Sequence, residues 1–251
     1  MNQQKHTLLP KSLLAVSLIS LSLISLTQLP IQAEVTSTKE TNNTFNITFE
    51  PPNENQPQLT KGGASRGDQC AIDSQESLPF IPLLPATNHG LTITSHPTLL
   101  AYIPNTSAQS VFLSIQDENE EEIYQGVLPI GNQSGIISLD VPQETPALET
   151  GKTYKWSFAL MCDNKLRPDS PTIAGYIERV QPKTELTARL EGATPVEMAA
   201  LYGKAGIWYE TIATLVQLRK AEPQNQELMN AWNSILNSVG LEKVSNARLI
   251  E

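Results

Sequence analysis

In Thr153-Tyr154-Lys155-Trp156-Ser157-Phe158-Ala159-Leu160-Met161, with Cys162 next, every second side chain from Tyr154 to Leu160 is large and apolar or aromatic. Side chains of a strand alternate between its faces, so this stretch predicts a strand with one face in a core. Trp156 and Cys162 lie an even number of positions apart, on that same face. Val111, Leu113 and Ile115 repeat the period, and shorter runs of the same texture fall at 91–94, 98–103, 110–116, 122–128, 135–140 and 172–180. Turn residues separate them, among them Pro104-Asn105 and the acidic 117–121. Seven strands at roughly ten-residue spacing predict a β-sandwich of immunoglobulin-like or fibronectin-like size over 62–182.

After Lys183 the period changes. Thr194-Pro195-Val196-Glu197 is a helix start, with Thr194 as N-cap, Pro195 at the first helical position and Glu197 closing a capping box. The first helix is expected to reach Lys204. A second is expected over 207–221, with Trp208, Ile212, Leu215 and Val216 on one stripe and Pro223 as its stop. A third starts near Asn225, carries Leu228, Trp232, Ile235, Leu236 and Val239, and ends on Gly240 as C-cap. A three-helix module over 183–251 is marginal alone and is expected to pack on the sandwich.

Upstream, residues 34–61 are rich in Thr, Asn, Gln and Pro and read as a flexible polar linker. Within it only Phe45-Asn46-Ile47-Thr48-Phe49 alternates, enough to dock on a sheet edge. Pro79, Pro82 and Pro85 favour an extended run over a helix. Residues 1–33 read as a cleaved signal peptide: Lys5 and Lys11, an apolar run from Leu13 to Leu26, then Pro30-Ile31-Gln32-Ala33 before Glu34. That run is short for a membrane span, which needs about 20 apolar residues. The expected location is therefore outside the cytosol, periplasmic or extracellular, without stable membrane insertion of the mature chain.

The chain holds 17 basic against 26 acidic residues, a net charge of −9. That sign argues against a nucleic-acid partner, whose phosphates need Lys and Arg, and against electrostatic docking on anionic lipid. Two cysteines, Cys70 and Cys162, are expected to form one disulfide in an exported protein. They lack the C-x-x-C spacing of a redox pair, and with His89 and His96 they make no zinc set. No metal and no cofactor is expected.

Other motifs carry little chemistry. Gly63-Ala64-Ser65-Arg66-Gly67 matches a nucleophile elbow, but no strand precedes it, so a hydrolase built on Ser65 ranks last. Arg66-Gly67-Asp68 is read as a loop tripeptide. Asp117-Glu118-Asn119-Glu120-Glu121-Glu122 lacks the glycine and the closing Glu of a calcium loop, and reads as a solvated hairpin tip.

Gly62-Gly63-Ala64-Ser65-Arg66-Gly67 with Cys70, Tyr154-Lys155-Trp156 leading to Cys162, Gly175-Tyr176-Ile177-Glu178-Arg179, and Gly206-Ile207-Trp208-Tyr209-Glu210 with Trp232 resemble the cyanobacterial family of domain of unknown function 928. The resemblance implies an exported cell-envelope protein, in the company of secretion components and surface adhesins. It brings no catalytic residue. Ala200, Tyr202, Gly206, Trp208 and Pro223 also resemble a degenerate tetratricopeptide unit of about one and a half repeats.

The function expected from these readings is a non-enzymatic envelope adaptor or scaffold. It would bind another envelope or secreted protein through an exposed helical side near Tyr209, Arg219 and Trp232. The alternative is a module for an extracellular glycan or cell-wall polymer, using loops around His89 and Tyr102.

Overall fold

The computed structural model of the protein describes residues 47–52, 78–131 and 133–250. In chain order these form β1 (Ile81–Pro82), β2 (His89–Thr92), β3 (Thr98–Ile103), β4 (Ser110–Gln116), β5 (Glu122–Pro129), β6 (Gly135–Asp140), β7 (Thr153–Met161) and β8 (Thr172–Arg179). The helices follow: α1 (Thr184–Leu190), α2 (Pro195–Lys204), α3 (Trp208–Ala221) and α4 (Gln226–Ser238). The fold is thus mostly β-sheet, in two sheets, with a C-terminal helical part.

The larger sheet has the order β2-β8-β7-β4-β5, and the smaller β1-β3-β6. Every described pairing within them is antiparallel except β2 with β8, which run parallel. The period-two pattern sets the register: Val111 faces Leu160, Leu113 faces Phe158 and Ile115 faces Trp156. All six are buried, because a slip of one residue would turn each row to the other face. One apolar cluster takes Leu99, Ile103 and Ile136 from the small sheet together with these residues.

Among the described residues eight strands stand where about seven are expected. The extra one, β1, lies in the proline-punctuated run, at the edge of its sheet, where a residue without an N–H is tolerated. The first long strand is His89–Thr92 rather than 91–94. The backbone N–H groups of Ile93 and Thr94 turn away to Glu210 Oε1 on α3, at 3.0 and 3.1 Å. The hydroxyls of Thr92 and Thr94 donate to the same oxygen, each at 2.6 Å. That carboxylate ends the strand and ties it to the helix.

Among the described residues the helices are four, not three. α1 has no buried residue, so it carries no apolar stripe for a sequence reading to find. The capping box of α2 forms: Glu197 N donates to Thr194 Oγ1, and Thr194 N donates to Glu197 Oε2 at 2.8 Å. Asn225 caps α4, and Gly240 follows it with φ +82°, while Leu241 N reaches back to Leu236 O at 2.8 Å.

At 182/183 the secondary structure changes while the core runs through. Trp208, Tyr209, Ile212, Trp232 and Ile235 join the cluster that holds Trp156 and Phe158. Each tryptophan N–H has an acceptor: Trp156 Nε1 donates to Tyr209 Oη at 2.8 Å, Trp208 Nε1 to Leu83 O at 2.8 Å, and Trp232 Nε1 to Ser245 O at 2.9 Å. Burying indoles is favourable on these terms, since no N–H is left unsatisfied.

Two segments depart from the expected organisation. Residues 47–52 of the expected linker are packed, on helices rather than on a sheet edge. Ile47 is 1% exposed, the Phe49 ring meets Trp208 edge-on at 4.8 Å, and Glu50 N donates to Gly203 O at 3.0 Å. The rest of 34–61 lies outside the described residues. The tail returns to the small sheet: Ile136 N donates to Arg248 O at 2.7 Å and Ile250 N to Ile136 O at 2.8 Å, bridging the start of β6 on its outer side. No described helix is long and apolar enough to cross a membrane.

Candidate functional site

Prolines and glycines gather where β2, the 47–52 segment and the end of α4 meet. Phe49, Pro52, Pro85, His89, Leu91 and Val239 wall a cleft of about 620 Å³ there. That is within the size range of ligand sites, which are mostly apolar with a few placed polar groups. Proline fixes φ, so Pro51, Pro52 and Pro85 hold the walls stiffly. Gly90 sets the floor: a Cβ there would lie 2.8 Å from Tyr209 Cε2, so only glycine lets α3 close on β2. A cleft of about 300 Å³ shares Pro85, Ala86, Val239 and Gly240 with it. A third, of about 560 Å³, shares Pro51, Pro52 and Leu91.

His89 is the titratable group of the wall, 7% exposed. Its Nε2 lies 3.4 Å from Glu178 Oε2. A carboxylate accepts only, so this contact selects the tautomer with hydrogen on Nε2 and leaves Nδ1 an acceptor. Nδ1 is buried and has no partner among the described residues. Burial holds the imidazole below its ordinary value of 6.5. Glu178, one-third exposed, is too well solvated to reverse that.

The sign for stability follows. The unfolded chain takes up this proton as pH falls through about 6.5, and the folded chain only at lower pH. The contribution of the neutral ring is complete above that value and is lost as pH falls below it. The urea midpoint of the native protein should therefore fall more steeply from about pH 7.5 to about pH 5.5 than that of His89→Gln. Parallel slopes would show that His89 is not the buried neutral group described here.

Residues 61–249 match the family model described as Domain of Unknown Function (DUF928). The chain belongs to that family. The matched span of this DUF928 protein contains β2, all four helices and the returning tail, whereas the Phe49–Pro52 wall of the cleft precedes it. A comparison with curated protein sequences gave no match.

The residues singled out in the sequence of this DUF928 chain take different places. Tyr209 is 2% exposed; its hydroxyl accepts from Trp156 Nε1 and donates to Tyr176 O at 3.0 Å. Burial pushes its phenol far above the usual range. Trp232 is 0% exposed. Both are core residues and present no surface to a partner. Their indole and phenol stripes face the sheets and the other helices because burial of those rings is what docks the helices. Arg219 alone of the three reaches solvent. Its guanidinium lies over the Trp232 ring at 4.9 Å, its Nη1 is buried without a partner among the described residues, and burial lowers its pKa. The structure brings Arg219 and Trp232 together and engages Tyr209 with β7 and β8.

Cys162 is buried in the core with Trp156. Cys70, Ser65 and the Arg66-Gly67-Asp68 tripeptide lie outside the described residues. Tyr102 is buried on β3, its hydroxyl 3.4 Å from Ser134 Oγ, and is not on the wall that carries His89. His96 clamps a turn, with Nδ1 3.0 Å from Ser95 Oγ and Nε2 2.9 Å from Thr145 O. Asp117 spends one carboxylate oxygen on its own hairpin, accepting from Asn119 N and Glu121 N, both at 2.9 Å. Among the described residues no three His, Cys, Asp or Glu side chains converge as a metal site.

Sequence reasoning missed the cleft itself. Its walls come from three distant stretches, 49–52, 85–91 and 238–240, together with Gly206, none periodic. The available signal is the density of Pro and Gly at all of these places.

Proposed function

We propose that this DUF928 protein is a non-enzymatic, exported binding protein of the cell envelope, which holds an apolar segment of a partner protein in the cleft beside His89. The cleft carries this reading: its walls are stiff, mostly apolar and enclose a ligand-sized volume. Such walls recognise a chain that leaves water.

We read the two sheets as an immunoglobulin-like sandwich. The strand order supports this, with the first strand of the larger sheet parallel to its last. So does Tyr154 near the start of β7, whose hydroxyl accepts from Glu149 N at 2.9 Å, the arrangement of a tyrosine corner. Sandwiches of this kind display binding surfaces on loops and edges. The leader read at 1–33 supports export.

Ala86 lies exposed on the rim, so it can be changed without touching the core. A photo-crosslinking residue at position 86 should trap one envelope protein in cells. Ala86→Glu should weaken binding of that protein by roughly tenfold, about 1.4 kcal/mol, by placing a charge against the apolar segment. Adducts with wall polymer alone would instead support the glycan-binding alternative, and unchanged affinity in Ala86→Glu would remove the cleft from the interface.

A further inference from the structure

Of the four sheet edges, three are short or partly covered. β1 is two residues long, β6 is bridged by the returning tail at Ile136, and the four-residue β2 lies against α3. The fourth, β5, runs for eight residues at the margin of the larger sheet, and among the described residues nothing pairs with its outer side. Its centre, Ile123-Tyr124-Gln125-Gly126-Val127-Leu128, carries no charge and no proline. Val127 is 55% exposed, and its neighbour across the ladder on the same face, Phe112, is only half-buried. An uncharged six-residue strand with open backbone groups is a template for another strand. The safeguards stand only at its ends: Glu122 and a register shift at Gln116 on one side, Pro129 on the other.

Charge indicates what would cover it. Glu118, Glu120, Glu121 and Glu122 are exposed in and beside the hairpin that leads into β5. A second copy of this acidic chain is a poor complement, since its net charge is −9. A strand with basic residues at one end is a good one.

We infer that β5 is a docking edge, on which an extended segment of another protein adds as a sixth strand with its lysines or arginines against Glu118, Glu120, Glu121 and Glu122. Backbone hydrogen bonds to the open edge supply affinity, Val127 and Phe112 take the apolar side chains, and the acidic hairpin sets which end of the segment lies where. This surface is separate from the cleft and stands without it.

The test uses the full chain and a soluble peptide of alternating threonine and valine ending in three lysines, beside the same peptide ending in three glutamates. The lysine peptide should bind and slow hydrogen exchange of amides within Ile123–Leu128, and the glutamate peptide should not. Reversing the hairpin in a Glu118→Lys, Glu120→Lys, Glu121→Lys variant, exposed positions that leave the core alone, should exchange that preference by roughly tenfold. Binding without protection of β5, equal binding of both peptides, or a dimer formed through β5 in their absence would each overturn the inference.

Discussion

Trp156→Ala is expected to lower folding stability by about 3–5 kcal/mol, the range for emptying a large buried aromatic site. The indole is fully buried, tilts against Phe158 at 5.1 Å between ring centres, and faces Ile115 on one side of β7 and Gly175 on the other. Gly175 is where the loss becomes hard to repair. A Cβ there would stand 2.8 Å from Trp156 Cζ2 and 2.1 Å from Leu84 Cδ1, so the site is shaped around the ring and Gly175 offers no side chain to refill it. The ring also reaches the helices, through Nε1 to Tyr209 Oη. Sheet and helix signals in circular dichroism should therefore melt together in urea, at a lower midpoint. Trp156→Phe should recover most of the loss, short of about 1 kcal/mol for the hydrogen bond. A helical part that melts separately from the sheets would contradict the shared core.

The second large effect runs against helix propensity. In an exposed helix, glycine to alanine gains about 1 kcal/mol. Gly203 lies within α2, yet Gly203→Ala is expected to cost about 1–3 kcal/mol, because overpacking wins. A Cβ at 203 would stand 2.3 Å from Thr48 O, a backbone atom that cannot swing aside. Moving it breaks the bond from Glu50 N to Gly203 O and exposes Ile47 and Phe49. Thermal unfolding would read the loss, and limited proteolysis should find new cleavage within 47–52. If Gly203→Ala raises the melting temperature and leaves 47–52 protected, the packing of that segment on α2 is refuted.

Much of the fold was legible because its signals are local. The strands 98–103, 110–116, 135–140 and 153–161 were read at the bounds the structure has, since alternation records which face meets the core. Thr194, Pro195 and Glu197 announced α2 through bonds made within one turn. α1 escaped because it buries nothing, and β1 because a two-residue strand among prolines has no period. For the candidate site, the aromatic residues of α3 and α4 were correctly placed on stripes, but a stripe does not say whether water or a sheet lies opposite. Here Tyr209 meets Trp156 and Tyr176, so the stripe is core.

From the chain alone come seven of the eight described strands, three of the four described helices, the acidic balance and the family likeness. Each rests on spacing or composition within a few residues, where backbone geometry leaves few choices. The cleft, the isolation of His89 Nδ1, the packed 47–52 segment and the open edge of β5 belong to the tertiary structure. They arise where stretches far apart in sequence meet, and whether a side chain is wall, core or surface there depends on what packs against it.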